Sequence, residues 1–489
     1  MSVSLAKPAP IADLRHPAKN FIALFLSQVF GMTSGLIFGF VAARLLGAGG
    51  FGDYALINAF LSYSLVLTEF GLSPFLVREM SQRPADRISI LASGLLLRLT
   101  LATLSFTGIV LVGFWLHLSW LLLGCLALAG LGTLLYAWNS SLTDLLTAHE
   151  RLRWAAYLDM FCQIVFLAIV ITLLWKSSNI LSIFVALFLA NSVRALALGF
   201  FARKDIRQIR WKNAQLSSCR GLLKEAFIFG LLGFMGMLYF KIDILVLYAF
   251  RPGNAVGWYE GAYRFLEAAM VLSSSLMTAL FPMLSRMGSV PESSHELHQT
   301  FLRATKFLIV SGLFSALAIS CIATPLVRFC YGATFLPAVP LVPVLMAALV
   351  LVQINAPNSR LLLALGNQKQ MLGLFSIALG VNVLLDFALI PRWGAYGAAF
   401  ATVLSEMACL TLLYPAVVSR AGSLPWASLL GKPLACSGAF LAFWFLLGGI
   451  SPWASLLAGS IAFLACFAAL RVFDPTDLKI LRQAFGSTP

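Results

Sequence analysis

The chain reads as a succession of long apolar runs separated by short polar breaks. A membrane-spanning helix needs about 20 consecutive, mostly apolar residues. Cutting at charged and Pro/Gly-rich breaks predicts about fourteen spans. Six of these cover residues 20–43, 51–77, 88–116, 119–148, 154–175 and 179–202. Six more cover 222–250, 256–285, 301–324, 335–365, 371–390 and 395–418, and the last two cover 428–449 and 452–472. The runs are continuous, whereas transmembrane barrel strands alternate apolar and polar over about ten residues. The expected fold is an all-α polytopic membrane protein.

Composition excludes the other classes. Of 489 residues, 60% are hydrophobic and 11% charged, against roughly 25% charged in soluble domains. The chain therefore lacks the polar surface of a soluble fold and the charge density of a disordered one. The net charge of +15 sits mainly in the connections, which makes it a topology signal and removes nucleic acid as a partner. With the N-terminus inside, alternating spans place 24 of the 34 Lys and Arg residues on the inner side. Five fall outside: Arg44, Lys176, Arg251, Arg328 and Arg392. Both termini are expected in the cytoplasm, with the first run an uncleaved helix. The eight cysteines lie mostly inside apolar runs and form no metal or redox pair, so they read as small packing residues.

An internal repeat organises the spans. Gly52-Asp53-Tyr54 after the first span matches Gly257-Trp258-Tyr259 after the seventh. Pro74-Phe75-Leu76-Val77-Arg78 matches Pro282-Met283-Leu284-Ser285-Arg286, and Leu145-Leu146-Thr147-Ala148 matches Leu361-Leu362-Leu363-Ala364. The offsets are 205, 208 and 216. The domain expectation is a six-helix lobe over 1–203, a basic cytoplasmic connection over 204–221 and a second six-helix lobe over 222–419. Two further helices and a tail follow over 420–489. Lobes with an even number of helices repeat in parallel, an arrangement used for alternating access. Gly31, Gly35 and Gly39 in the first span, and Gly230, Gly233 and Gly236 in the seventh, permit close helix approach. Pro337, Pro340, Pro343 and Pro357 predict kinks in or beside the tenth.

Charges inside the spans are the candidate chemistry, since each costs roughly 2.5–3.5 kcal/mol to insert. The basic set is Arg98, Arg194, Lys241, Arg264 and Arg360. The acidic set is Glu69, Asp144, Asp159, Asp243, Glu267, Asp386 and Glu406. Arg98 sits where it is either deep or at the inner interface, and Arg360, Asp144 and Asp159 lie near inner ends. Arg264 and Glu267 have the three-residue spacing of an intrahelical pair. Lys241 and Asp243 point to different faces and need partners elsewhere. Lys241, Arg264, Arg194, Arg98 and Arg360 suit an anionic substrate such as pyrophosphate. Asp243, Glu69, Glu267 and Glu406 suit a coupling proton or Na⁺. No catalytic residue, resident metal or cofactor is expected.

Several segments carry a family likeness. They include Ala43-Arg44-Leu45-Leu46-Gly47, Gly50-Phe51-Gly52-Asp53-Tyr54, Phe70-Gly71-Leu72-Ser73 and Val77-Arg78-Glu79. Asp243, Gly257-Trp258-Tyr259, Ala262-Tyr263-Arg264, Leu363-Ala364-Leu365-Gly366-Asn367 and the stretch 389–399 extend it. From about residue 20 to 420 the chain resembles polysaccharide repeat-unit flippases, O-antigen or exopolysaccharide. They belong to the superfamily that includes multidrug and toxin extrusion proteins and peptidoglycan lipid flippases. The resemblance implies a V-shaped two-lobe fold. It also implies movement of undecaprenyl-pyrophosphate-linked oligosaccharide from the inner to the outer leaflet of a bacterial inner membrane. Asp243 and Arg264 fall within its motifs. Implied partners are the lipid-linked glycan, membrane lipids, a polysaccharide polymerase and chain-length machinery. The first span has no Lys or Arg between Lys19 and Arg44, which counts against a peptidoglycan precursor. A cation or drug exporter is the alternative, disfavoured by Lys241 and Arg264. An enzyme is disfavoured by short outer connections in which His117 is the single His, with Asp53 and Glu260 beside glycine turns.

Overall fold

A computed structural model describes residues 15–149, 151–208, 216–290, 293–448 and 451–473. Lys7, Arg210, Lys212, Lys479 and Arg482, all assigned to the inner side, lie outside the described residues, as does part of the connection 204–221. The described elements are α1 (Arg15–Glu69), α2 (Leu72–Gln82), α3 (Arg87–Trp115), α4 (Trp120–Ala148), α5 (Leu152–Ser177), α6 (Leu181–Phe201) and α7 (Arg203–Ile206). The chain continues with α8 (Leu216–Phe250), α9 (Asn254–Gly288), α10 (Ser294–Cys321), α11 (Ala323–Cys330), α12 (Leu341–Ala364) and α13 (Gln368–Trp393). It ends with α14 (Ala395–Ala421), α15 (Trp426–Leu447) and α16 (Pro452–Ala469). Among the described residues, 13 helices are long and apolar enough to cross a membrane. The first of these contains Gly47 at φ 67°, ψ −179°, a non-helical kink open to glycine. Counted on either side of that kink, the spans number fourteen. This is a multi-pass membrane protein.

Two differences from the sequence reading have local causes. The second span does not run to residue 77, because Phe70 (φ 36°) and Gly71 (φ 70°) end one helix and α2 begins at Leu72. The prolines around the tenth span shape its entry more than its interior. Pro337 lies in a 3₁₀ turn (Ala333–Ala338), Pro340 precedes α12, and Pro343 sits in its first turn, where no amide donor is needed. Pro357 is inside the helix. Cys162, Cys219, Cys321, Cys409, Cys436 and Cys466 are free thiols.

Contacts divide the chain into two compact units. The first comprises residues up to Leu45 together with Phe60–Gly230, and the second comprises Leu46–Ala59 with everything from Leu231 onward. In the first, α4 packs on α2, α3 and α6, and α5 pairs with α6. In the second, α12 packs on α9, α10 and α14, and α13 pairs with α14. The fourth span of each repeat thus holds the same neighbours. α12 is the axis of its unit: 67% of its apolar window is buried, against 22–39% for the other spans. Its neighbours contribute Met277, Leu284, Phe301, Leu308 and Leu413 to one apolar cluster. α15 and α16 attach through α10, where Phe314 meets Phe440 and Phe463.

The outward surface is apolar, with Leu104, Leu196, Leu384 and Phe445 exposed along their helices, as lipid contact requires. Trp115, Trp120 and Trp175 are about four-fifths exposed at the ends of α3, α4 and α5. All three stand on connections of the predicted outer side, the level at which indole rings collect.

The repeat motifs Gly52 and Gly257 meet inside the second unit. A Cβ on Gly52 would stand 2.3 Å from the Gly253 carbonyl oxygen, and one on Gly257 1.9 Å from that of Ala48. Only glycine lets these two helix starts cross so closely. Gly35, by contrast, has nothing within 4 Å of a built Cβ. Gly257→Ala is therefore expected to lower the apparent melting temperature in detergent, at a cost on the order of 1–3 kcal/mol. Gly35→Ala should leave it unchanged. Equal melting of the two variants would contradict the tight crossing.

Candidate functional site

Each unit holds its own buried ion network. In the first, the break at Phe70–Gly71 aims the end of α1 at the start of α2, so the Ser73 amide donates to Glu69 Oε1 (3.0 Å). Arg98 enters from α3 with its side chain wholly buried. Its Nη2 lies 2.9 Å from Glu69 Oε1 and its Nη1 2.8 Å from Asp144 Oδ2 on α4. The Ser73 hydroxyl accepts from Arg98 (2.8 Å) and donates to Asp144 (2.7 Å), and Ser140 donates to Glu69 (2.9 Å). One guanidinium joins two carboxylates and ties four helical segments together, leaving a formal charge of −1. Glu69, at 24% exposure, is the accessible edge.

A second pair in this unit links Arg194 of α6 to Asp159 of α5 at 2.7 Å. Both line a polar pocket of about 240 Å³ with Gln163 and Asn191. Gly31 of α1 faces it, since a Cβ there would stand 3.0 Å from Gln163 Nε2.

In the second unit, Lys241 of α8 reaches Glu267 (2.8 Å) and Glu260 (3.6 Å) of α9. Arg264 lies 3.4 Å from Glu260, one turn back on its own helix, and over the rings of Phe51 and Tyr54. This four-residue set is formally neutral. Asp243, two residues beyond Lys241, belongs to a different cluster. Tyr259 donates its hydroxyl to Asp243, and the Ile244 amide donates at 2.8 Å. Tyr259 also meets Thr402 of α14 (3.1 Å). Asp386 of α13 is wholly buried, neither of its carboxylate oxygens has a hydrogen-bond partner among the described residues, and it lies within electrostatic reach of Asp243. Glu406 accepts from Asn355 (2.7 Å), and Asn382 donates to Ser405 (3.1 Å). Asp243, Asn382, Thr402, Ser405 and Glu406 line a cavity of about 10 Å³, room for one water-sized occupant.

The candidate residues therefore separate into groups. Arg98 is wholly buried within the protein, where Glu69 and Asp144 pair with it. Asp144 and Asp159 are ion-paired rather than free at the inner end. The expected Arg264–Glu267 pair is replaced by Arg264–Glu260 and Lys241–Glu267. Four-residue spacing favours Glu260, and Lys241 takes Glu267. Glu260, expected beside an outer turn, is 1% exposed and central to the network. Its spacing to Arg264 was the available signal. Asn382 and Thr402 had none, being common polar residues of membrane helices, and Ser73 stood out only as the end of a family-like segment. Arg360 is exposed near the end of α12 and belongs to neither network.

A family model described as "Polysaccharide biosynthesis protein" matches residues 18–288, more than half of the chain. The chain belongs to the polysaccharide biosynthesis protein family. Among curated relatives of this family member, one is a probable low-salt glycan biosynthesis flippase, Agl15 of Haloferax volcanii. It is 24% identical over 396 residues, covering 79% of this chain and 80% of the relative. The probable flippase AglR of the same organism is 24% identical over 261 residues, 52% of this chain and 53% of the relative. Among solved structures, the lipid II flippase MurJ in an inward closed conformation superposes with a TM-score of 0.68 at 17% identity. That match covers 92% of this chain and 98% of MurJ. An inward-facing multidrug resistance MATE transporter of the MOP superfamily gives 0.60 at 15% identity, covering 83% and 98%. The fold is the one these transporters share.

Removing the charge of Arg98 leaves two carboxylates buried without a partner, a loss of about 3–5 kcal/mol for a broken buried pair. Arg98→Gln is expected to reduce the folded, monodisperse fraction in detergent, and adding Asp144→Asn to restore much of it. An undiminished Arg98→Gln protein would show that this network does not hold α2, α3 and α4.

Proposed function

We propose that this family member is a flippase that carries undecaprenyl-pyrophosphate-linked oligosaccharide repeat units from the inner to the outer leaflet of a bacterial inner membrane. Both termini lie in the cytoplasm, the mechanism is alternating access, and the product feeds surface-polysaccharide assembly by a polymerase and chain-length machinery. The observation that carries the reading is the concentration of ionisable groups within the spans of both units. Such groups in lipid mark a transport path. Family membership and relatives named as glycan flippases support the cargo class. The protein acts by binding and moving its cargo, with no chemical step.

Coupling is assigned to the second unit. Asp243 and Asp386 are both buried and within electrostatic reach of each other, Asn382 and Thr402 line the cavity beside Asp243, and Asp386 has no hydrogen-bond donor among the described residues. Oxygen ligands of this kind suit a hard cation or a proton. The deep cations Lys241, Arg264, Arg98 and Arg194 are each already paired. An anionic cargo reaches them only by displacing carboxylates, so cargo binding and rearrangement of the networks are the same event. Export of a cationic drug is the second reading, favoured by the excess of buried carboxylates over buried cations.

Deletion of the gene is expected to trap intact lipid-linked repeat units on the cytoplasmic leaflet with loss of surface polysaccharide. Leaflet-resolved mass analysis reads both. A normal glycan distribution with raised drug sensitivity would select the exporter instead. In reconstituted vesicles, Asp243→Asn and Asp386→Asn should each lower gradient-driven flipping more than tenfold while the protein stays folded. Flipping that keeps its full dependence on the Na⁺ or proton gradient in both variants would remove the coupling assignment.

A further inference from the structure

Two arginines at one end of the second unit differ from the deep cations in having no ion pair among the described residues. Arg251 follows α8 and Arg392 ends α13. Both are exposed, and Arg251 makes only a long contact, 3.5 Å, with the Pro391 carbonyl. They line one cavity of about 410 Å³ together with Trp258, Trp393 and Tyr396. Among the described residues no Asp, Glu or His lines it.

The cavity is built, not incidental. It forms where three connections of the same membrane side converge: α8 to α9, the turn before α12, and α13 to α14. Gly394 turns the last of these at φ 55°, and a Cβ there would stand 3.8 Å from Arg251 Cγ. Trp258 is held by donation of its indole N–H to the Thr334 carbonyl at 3.0 Å. Aromatic rings alone would suit the general membrane interface. An interface belt does not explain why two of the five Lys and Arg residues assigned to the outer side share one cavity and lack counter-charges.

We propose that this cavity is an anion site for the phosphate of a phosphorylated lipid headgroup. The guanidinium forks of Arg251 and Arg392 match phosphate oxygens with charge-assisted hydrogen bonds. The Trp258, Trp393 and Tyr396 rings flank the uncharged part of the head. The cavity lies at the ends of spanning helices, where a membrane-tethered phosphate would reach it without leaving the bilayer. Two sources share this chemistry. One is an anionic phospholipid of the surrounding membrane. The other is the pyrophosphate of the delivered lipid-linked glycan, an assignment that rests on the proposed flippase activity and makes the cavity an exit subsite.

The test is a titration of the full-length protein in phosphatidylcholine nanodiscs, read by tryptophan fluorescence, with phosphatidylglycerol and with farnesyl pyrophosphate. At least one probe should saturate, and Arg251→Gln with Arg392→Gln should weaken its binding at least tenfold. Arg328→Gln, which alters an outer arginine away from the cavity, should leave binding unchanged. Saturation by phosphatidylglycerol alone identifies a bilayer lipid, and saturation by farnesyl pyrophosphate identifies the cargo. Failure of the wild-type protein to saturate with either probe overturns the proposal, even where the double variant misfolds. Equal affinity of wild type and a folded double variant overturns it too. Because binding is read without transport, such a failure leaves the flippase reading to its own leaflet assay.

Discussion

Pairing of charge inside a low-dielectric slab is the constraint on which this structure depends. An isolated ion at the centre of a membrane helix is expensive, and water is absent to solvate it. Arg98 meets the requirement with two carboxylates and two serine hydroxyls drawn from three other segments. Lys241 and Arg264 meet it by sharing Glu260, with Glu267 completing the set. Each network fixes how helices of its unit stand against one another more sharply than their apolar faces do. Leucine side chains gain little from one another in lipid, which is equally apolar.

Backbone approach is the second constraint, and glycine sets it. Gly52 and Gly257 begin equivalent helices of the repeat and allow contact closer than any side chain permits. Nearby, Arg264 stacks over Phe51 and Tyr54, so the crossing also carries aromatic walls to the ion network. In the first unit Gly230 of α8 does comparable work, since a Cβ there would lie 2.6 Å from Phe70. Close packing and buried charge therefore occur together at the helix break that positions Glu69.

The distribution of charge bears on mechanism. An open cationic cavity would attract a pyrophosphate group at once. The structure instead holds its deep cations in salt bridges and buries the two acids Asp243 and Asp386 in one unit. In the proposed flippase, coupling and cargo binding would draw on the same resource, because neutralising a carboxylate with a cation or proton frees electrostatic attraction for an anion. Binding energy shifts a two-state equilibrium only through such differential contacts. Each unit has a pocket lined by ionisable groups, Asp159 and Arg194 in the first and Asp243 and Glu406 in the second.

The sequence by itself determined the class of protein, and it set the expected number of spans, the expected repeat and the identity of the charges inside the spans. These follow from local quantities: length of apolar runs, insertion cost, and residue identity at matching offsets. The turn at Gly47 and the crossing glycines were visible as motif residues, though not as a contact. Tertiary structure alone decided the partners. Arg98 was ambiguous in depth because its own helix contains no acid to neutralise it, and Glu69 and Asp144 come from helices far along the chain. Arg264 chose Glu260 over Glu267 because Lys241 arrives from another helix. Asp386 stands apart because no donor among the described residues reaches it. Pairing in a membrane is settled by which helices meet, and the order of residues along one helix does not contain that information.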